Sequence, residues 1–315
     1  MLPGIKMASQ IDTSVEGFKK YLEGVRQPAT ADKYSRCVKM FLIVLAESNY
    51  RNINDLPPNI LGQYAGALKN RGYGHSSIHT HVYAVQRYLN WIRGQGADVP
   101  NMAAPDLPTI QFRVKGILDP DQLQHYFNLA DSSLDEPVRT AVMFAPCCGL
   151  RAQELCRLQL TNIRRGKVQL GGGPKDTLLL QVIGKGGKER IVPLMDEGTQ
   201  LLTTYLGGWR RSTGGSWVFP AGHTAALSQK PLHDRTLRNA MMRVRDPMGL
   251  DFTPHTMRRT YLTLLWRRGV PEAVLAKIAG HKDIGTLLRH YLALDEDDIM
   301  RKFHHSPDSA KLLTT

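Results

Sequence analysis

Apolar residues recur at three- and four-residue spacings through most of the first 95 positions, and almost none of this stretch alternates in the manner of a strand. From Thr30 to Ala46, Tyr34, Val38, Phe41, Leu42 and Leu45 form one apolar face while Lys33, Arg36 and Lys39 sit elsewhere, which predicts an amphipathic helix. Ser14 to Arg26 predicts another. Leu56 to Arg71, opened by Pro57 and Pro58 and ended near Gly72, predicts a third, and Ser76 to Arg93, with Ile78, Val82, Val85, Tyr88, Leu89 and Ile92, a fourth. Residues 1–95 are therefore expected to form a compact helical domain. The period disappears between Gly94 and Gly116, where Gly94, Gly96, Pro100, Pro105 and Pro108 interrupt it, so residues 96–116 are the expected linker.

Residues 117–315 change character. Asp119 and Pro120 open a helix through Leu129, Glu136 to Cys147 predicts a second, and a short third starts at Arg151 after the turn at Gly149. Lys167 to Leu170, Thr177 to Ile183 and Glu189 to Pro193 are β-rich runs separated by Gly171 to Gly173 and Gly184 to Gly187, as in a small antiparallel sheet. Helical periods return after Trp217 to Phe219. The expected class is mainly α with a small antiparallel β-sheet (α+β), in two domains.

Length is compatible with this, since 315 residues of which 42% are hydrophobic can bury two cores. The formal net charge of +13 adds a partner: Lys and Arg that neutralise phosphates release counterions, so a polyanion is expected, nucleic acid first and an anionic membrane surface second. No apolar run is long enough to span a bilayer, and Met1 to Gln10 lacks the features of a signal peptide, so a soluble, cytoplasmic protein without membrane association is expected. Cys37, Cys147, Cys148 and Cys156 have no zinc-ligand spacing and are expected to be buried thiols.

Four segments carry groups suited to chemistry on a phosphate. In Gly149-Leu150-Arg151-Ala152-Gln153-Glu154-Leu155, Glu154 stands one turn after Arg151 and can hold its guanidinium; a surface ion pair has the same spacing. In the run from Val182 to Leu194, a glycine-rich hairpin carries Lys185 at its tip and could deliver it to a phosphate, or could be a solvated charged turn. It lacks the spacing of a P-loop. In Thr253 to Thr260, Pro254 suits the first helical position and puts His255 and Arg258 three apart, with a capping or packed role as the alternative for His255. In Ile278 to Tyr291, a helix ends at Gly280, His281 follows the cap, and a new helix leads to Tyr291, which could equally be a core residue.

Taken together the segments supply what metal-free phosphodiester cleavage needs: a nucleophile, donors for the phosphoryl oxygens and an acid for the leaving oxygen. No carboxylate cluster suits magnesium, and neither a metal nor another cofactor is expected. The order GLRxxEL, GKGxKxR, HxxR, GH and a downstream Tyr resembles the tyrosine recombinase and phage-type integrase family. The resemblance covers Leu118 to Ala293 motif by motif, and the helical first half is similar to that family's core-binding domain. It implies that Arg151 and Arg258 bind the scissile phosphate, Lys185 is the general acid for the 5′ hydroxyl, His255 takes the tyrosine proton, His281 donates to a non-bridging oxygen, and Tyr291 attacks to leave a 3′-phosphotyrosyl bond. Glu154 supports Arg151.

Two features depart from the usual pattern. Tyr291 follows His281 by ten residues, where nine is common, and Gly171 to Asp176 lengthen a loop between Arg151 and Lys185, so that Lys188 is a second candidate for the acid. Tyr261 and Tyr205 are the competing tyrosines.

The resemblance further implies a site-specific recombinase acting on double-stranded DNA through a Holliday junction, as a homo-tetramer on two sites that exchanges a C-terminal segment; Ile299, Met300 and Phe303 after Asp295 form an apolar face that fits this role or that of a tail packed in cis. A directionality factor is a further candidate partner. The two halves are expected to clamp the duplex. In the helical half the groove-facing candidates are His79, His81 and Arg87 on the fourth helix, or Arg36 and Lys39 on the second; Lys188 and Arg259 are candidates in the other half. With about ten residues ahead of the first helix, no additional arm-binding domain is expected there. Rival readings are a type IB topoisomerase or telomere resolvase, and a DNA-binding accessory protein without catalysis.

Overall fold

The computed structural model describes residues 14–109, 116–170, 173–184, 187–281, 284–290 and 298. The chain divides into two compact units between Gln111 and Phe112.

The first unit is built from four helices, α1 (Val15–Val25), α2 (Pro28–Glu47), α3 (Ile60–Asn70) and α4 (His75–Gly94). Ser14 caps α1, its Oγ accepting from Gly17 N at 2.9 Å, which satisfies one of the first-turn donors. The apolar faces close on a core around Phe18, Phe41, Tyr64, Val85 and Tyr88, each at most 1% exposed. Helix α3 begins four residues later than the sequence predicts. A residue that precedes a proline is pushed out of the helical region, and Leu56 and Pro57 both do, so the chain first makes a turn in which Ile60 N donates to Pro57 O at 3.0 Å.

The stretch expected as linker is tied to this unit along much of its length. Arg93 donates to the carbonyls of Val99 (3.2 Å) and Pro100 (2.7 Å), and Ala103 N donates to Pro58 O at 2.8 Å. His79 Nε2 lies 2.9 Å from Pro108 O and His75 Nδ1 3.3 Å from Thr109 O. A segment without helical period still has carbonyls to satisfy, and side chains of α4 satisfy several of them here.

The second unit opens with α5 (Pro120–Ser133), started by a capping box of Asp119 and Gln122, then α6 (Val138–Cys148) and the short α7 (Ala152–Cys156). A three-stranded antiparallel sheet follows in the order β1 (Ile163–Leu170), β2 (Gly173–Ile183), β3 (Glu189–Pro193). Helices α8 (Asp196–Gly207), α9 (Ala225–Ser228), α10 (Asp234–Met248), α11 (Pro254–Arg267), α12 (Glu272–Ala279) and α13 (Ile284–His290) complete the described part. The core runs through Phe144, Leu180, Phe219, Leu237, Tyr261 and Leu275.

The sheet corrects one expectation. Residues 173–176, assigned to a lengthened loop, belong to β2, whose pairing with β1 runs from Ile163 opposite Leu180 to Leu170 opposite Gly173. The additional residues thus lengthen a hairpin. Arg164, Arg165 and Gly166 have weak strand preference alone, but the antiparallel ladder with β2 satisfies the backbone donors and acceptors of alternate residues along β1.

All four cysteines are buried. Burial pushes the thiols up, those of Cys148 and Cys156 to about 12.

Candidate active site

Glu154 is the centre of the site. It is the third residue of α7, and its carboxylate turns back to accept the backbone N–H of Arg151 at 2.8 Å (Oε2) and Arg151 Nη1 at 2.9 Å (Oε1). One side chain thus caps the helix and orients the guanidinium that precedes it. The Arg151 side chain remains 40% exposed, while Glu154 is 10% exposed.

A second guanidinium reaches the same carboxylate from the sheet. Arg190, on β3, donates Nη1 to Oε1 at 3.0 Å and Nη2 to Oε2 at 2.7 Å, and its Nε donates to Ile278 O at 2.8 Å. Arg258 stands behind the pair, with Nη1 4.0 Å from Glu154 Oε2. Burial pushes the Glu154 carboxyl up, but the hydrogen bonds and charge of Arg190, followed by the N–H and charge of Arg151, outweigh it and hold the group down at about 2. Three guanidiniums around one carboxylate leave an excess of positive charge, which an anionic ligand would offset.

Arg258 lies on α11, whose start is fixed by Thr253 as N-cap and Pro254 at the first position. It has no exposed surface: Nη1 donates to Gly149 O at 2.5 Å and Nη2 to Ala279 O. His281 Nε2 is 3.5 Å from Nη2. His255, on the first turn of the same helix, is exposed.

Two glycines make the arrangement possible. Gly149 has φ +59°, and a Cβ there would lie 2.2 Å from the Tyr261 ring. Gly280 caps α12 with φ +65°, turning the chain so that His281 N donates to Ala276 O at 2.9 Å and the imidazole points toward Arg258.

The sequence singled out Arg151, Glu154, Arg258 and His281, which this geometry gathers, and His255 beside them on α11. Lys185 and Tyr291 lie outside the described residues. Lys188 is exposed and its carbonyl accepts from Gly184 N at 2.8 Å, closing the hairpin. Tyr261 and Tyr205 are both buried, with hydroxyls donating to Pro193 O (2.6 Å) and Val218 O (2.9 Å), and burial raises both phenols. Arg190 was not assigned a role from the sequence. Its place in the GKGxKxR run and its spacing of two from Lys188, hence the same face of an extended chain, were the available signal.

Four of the DNA-facing candidates make contacts within the protein. Arg259 is 6% exposed and donates toward Gly116 O and Thr256 Oγ1. His79 is half-buried on Pro108 O. His81 is half-buried with Nδ1 2.8 Å from the Tyr64 hydroxyl, and burial, then Lys33, lowers its pKa. Arg87 is half-buried, with Nη1 3.3 Å from the Tyr83 hydroxyl and its guanidinium 5.9 Å above that ring. Arg36 and Lys39 are exposed on α2.

Among the described residues no three His, Cys, Asp or Glu side chains gather as a metal site requires, and no helix is long and apolar enough to cross a membrane.

Comparison with known proteins places this architecture. Residues 117–297 match the family model described as the phage integrase family, and residues 15–96 that described as the phage integrase N-terminal SAM-like domain. Tyrosine recombinase XerC of Xanthomonas campestris pv. campestris is 25% identical over 306 residues, covering 95% of this chain and 89% of the relative. Tyrosine recombinase XerD of Staphylococcus aureus is 24% identical over 285 residues, covering 88% and 92%. Among solved structures, the XerH site-specific recombinase bound to palindromic difH substrate has a TM-score of 0.69 at 15% identity, covering 93% of this chain and 84% of that one. A lambda integrase dimer bound to a COC′ core site has a TM-score of 0.65 at 18% identity, covering 86% and 94%. These likenesses establish the fold, and the catalytic-domain match extends over more than half of the chain. The chain belongs to the phage integrase family of tyrosine recombinases.

Proposed function

We propose that this chain cuts and rejoins double-stranded DNA at specific sites through a 3′-phosphotyrosyl intermediate and a Holliday junction. The observation that carries the reading is the convergence of Arg151 and Arg258 on Glu154, with His281 against Arg258. Fixed cations beside a developing phosphorane charge need no reorganisation during the reaction, and electrostatic stabilisation of this kind dominates the catalysis of such transfers.

In this reading Arg151 and Arg258 hold the non-bridging oxygens and His281 donates to one of them. The Tyr291 hydroxyl attacks phosphorus, its proton passing to His255, while the bond to the 5′ oxygen breaks and Lys185 protonates that oxygen. Tyr291 is preferred over Tyr261 and Tyr205 because both of those hydroxyls are buried on main-chain carbonyls. The ester to tyrosine retains the energy of the broken linkage, so the 5′ hydroxyl can reverse the step without ATP or a metal. A homo-tetramer on two sites, a directionality factor and action in the cytoplasm belong to the same proposal. Arg36 and Lys39 are the phosphate contacts expected from the helical unit.

The test uses nicked suicide duplexes bearing the sequences that flank the encoding element, incubated with the wild type and with Tyr291→Phe in EDTA. A denaturant-resistant adduct from the wild type and none from the variant is expected. Binding without an adduct from either protein favours the accessory-protein reading, and relaxation of supercoiled DNA lacking any defined site favours a topoisomerase.

A further inference from the structure

Arg190 is 7% exposed and engages three parts of the catalytic unit. Its own strand, β3, begins four positions after Lys185 in the sequence. Its two terminal nitrogens hold both oxygens of Glu154 on α7 (3.0 and 2.7 Å), and its Nε holds Ile278 O (2.8 Å) in the last turn of α12. The side chain also lies across the turn that presents His281: a Cβ on Gly280 would sit 3.1 Å from Arg190 Cδ and 3.4 Å from Nε.

A buried guanidinium is costly to desolvate, and an apolar side chain of similar volume would fill the same space more cheaply, so packing alone does not account for it. What Arg190 changes is the share of Glu154 left to its neighbours. With Arg190 on both oxygens, the carboxylate takes one guanidinium N–H from Arg151, whose side chain stays 40% exposed. Without it, Glu154 would have two acceptor positions to satisfy, and Arg151 and Arg258, 4.0 Å away, are the cations within reach.

We propose that Arg190 is a positioning residue for DNA cleavage, holding Glu154 so that Arg151 faces the phosphate, and tying β3 and the His281 turn to that same carboxylate. This rests on the cleavage reaction proposed above. Arg190 touches neither substrate nor reacting atoms in this role.

The test compares wild type, Arg190→Met and Arg190→Lys by three measurements: single-turnover adduct formation on a saturating nicked duplex, duplex affinity, and titration of the Glu154 carboxyl by carbon NMR. Among the described residues, Arg151, Arg190, Arg258 and the Cys148 thiol are the titratable or charged groups that face that carboxyl. For Arg190→Met the adduct rate is expected to fall about 100-fold, the scale of a small misplacement of a catalytic group, with duplex affinity unchanged. The Glu154 carboxyl should then titrate closer to the ordinary carboxylate range, and Arg190→Lys, which cannot span all three acceptors, should fall between. An Arg190→Met rate equal to wild type, or equal losses of rate and affinity, overturns the proposal. If the methionine variant does not fold, the lysine variant decides: a reduced rate with intact affinity supports the role, an unchanged rate overturns it. Absence of an adduct from the wild type overturns the cleavage reading itself, a result distinct from failure of Arg190 alone.

Discussion

The Tyr261 ring occupies the space that a side chain at position 149 would need: a Cβ on Gly149 would approach Tyr261 Cδ1 to 2.2 Å. The same glycine has φ +59° and offers its carbonyl to Arg258 Nη1. Gly149→Ala therefore combines a left-handed backbone strain with overpacking, together about 2–4 kcal/mol. Thermal unfolding should show this loss, and adduct formation should fall beyond it because the Gly149 carbonyl orients Arg258.

Removing the Tyr261 hydroxyl is a different experiment. Tyr261→Phe leaves Pro193 O without its donor and should cost about 1–2 kcal/mol. Adduct formation should persist, as it should in Tyr205→Phe, whose hydroxyl is likewise engaged. Loss of the adduct in either variant with the fold intact would remove Tyr291 from the nucleophile's role.

Acid should weaken the catalytic unit through Glu154. Its folded carboxyl is held at about 2 against an ordinary 4.5, so the unfolded chain binds the proton more readily. The resulting stability is fully present above pH 4.5, is lost as pH falls toward 2, and amounts to about 3 kcal/mol. Glu154→Gln should show a shallower dependence of stability on pH across that window than wild type, measured by denaturant titration; parallel curves would contradict the assignment.

On the helical unit, exposed and engaged cations should separate by salt dependence. Arg36→Ala with Lys39→Ala is expected to reduce the slope of log affinity against log salt by about 2, roughly 0.9 for each phosphate no longer neutralised. His81→Ala should leave the slope unchanged and lower stability by about 1–2 kcal/mol, since its ring is bound to Tyr64. A change of slope in the histidine variant would make His81 a DNA contact.

Much of this arrangement was legible in the sequence because it is local. Arg151 and Glu154 are three residues apart on one helix, Pro254 and Thr253 mark the start of α11, and Gly280 marks the end of α12, each a signal carried within a single turn. Arg190 was not legible, because its partners Glu154 and Ile278 lie 36 and 88 residues away and no spacing announces them. The intramolecular contacts of His79, His81 and Arg259 were not legible for a related reason. Charge and a polar helical position suggest solvent, whereas Tyr64, Pro108 and Gly116 meet these side chains from 17, 29 and 143 residues away, beyond the reach of any local spacing.

The buried cysteines give the protein an internal clock. Cys37 belongs to the helical unit, and Cys147, Cys148 and Cys156 to the other. Each thiol is buried and held well above neutral pH, so an alkylating reagent reacts only when the surrounding structure opens. Mass spectrometry of modified peptides over time would therefore report two opening rates from one unaltered chain. Slower modification on adding DNA would show, unit by unit, where the duplex steadies the protein.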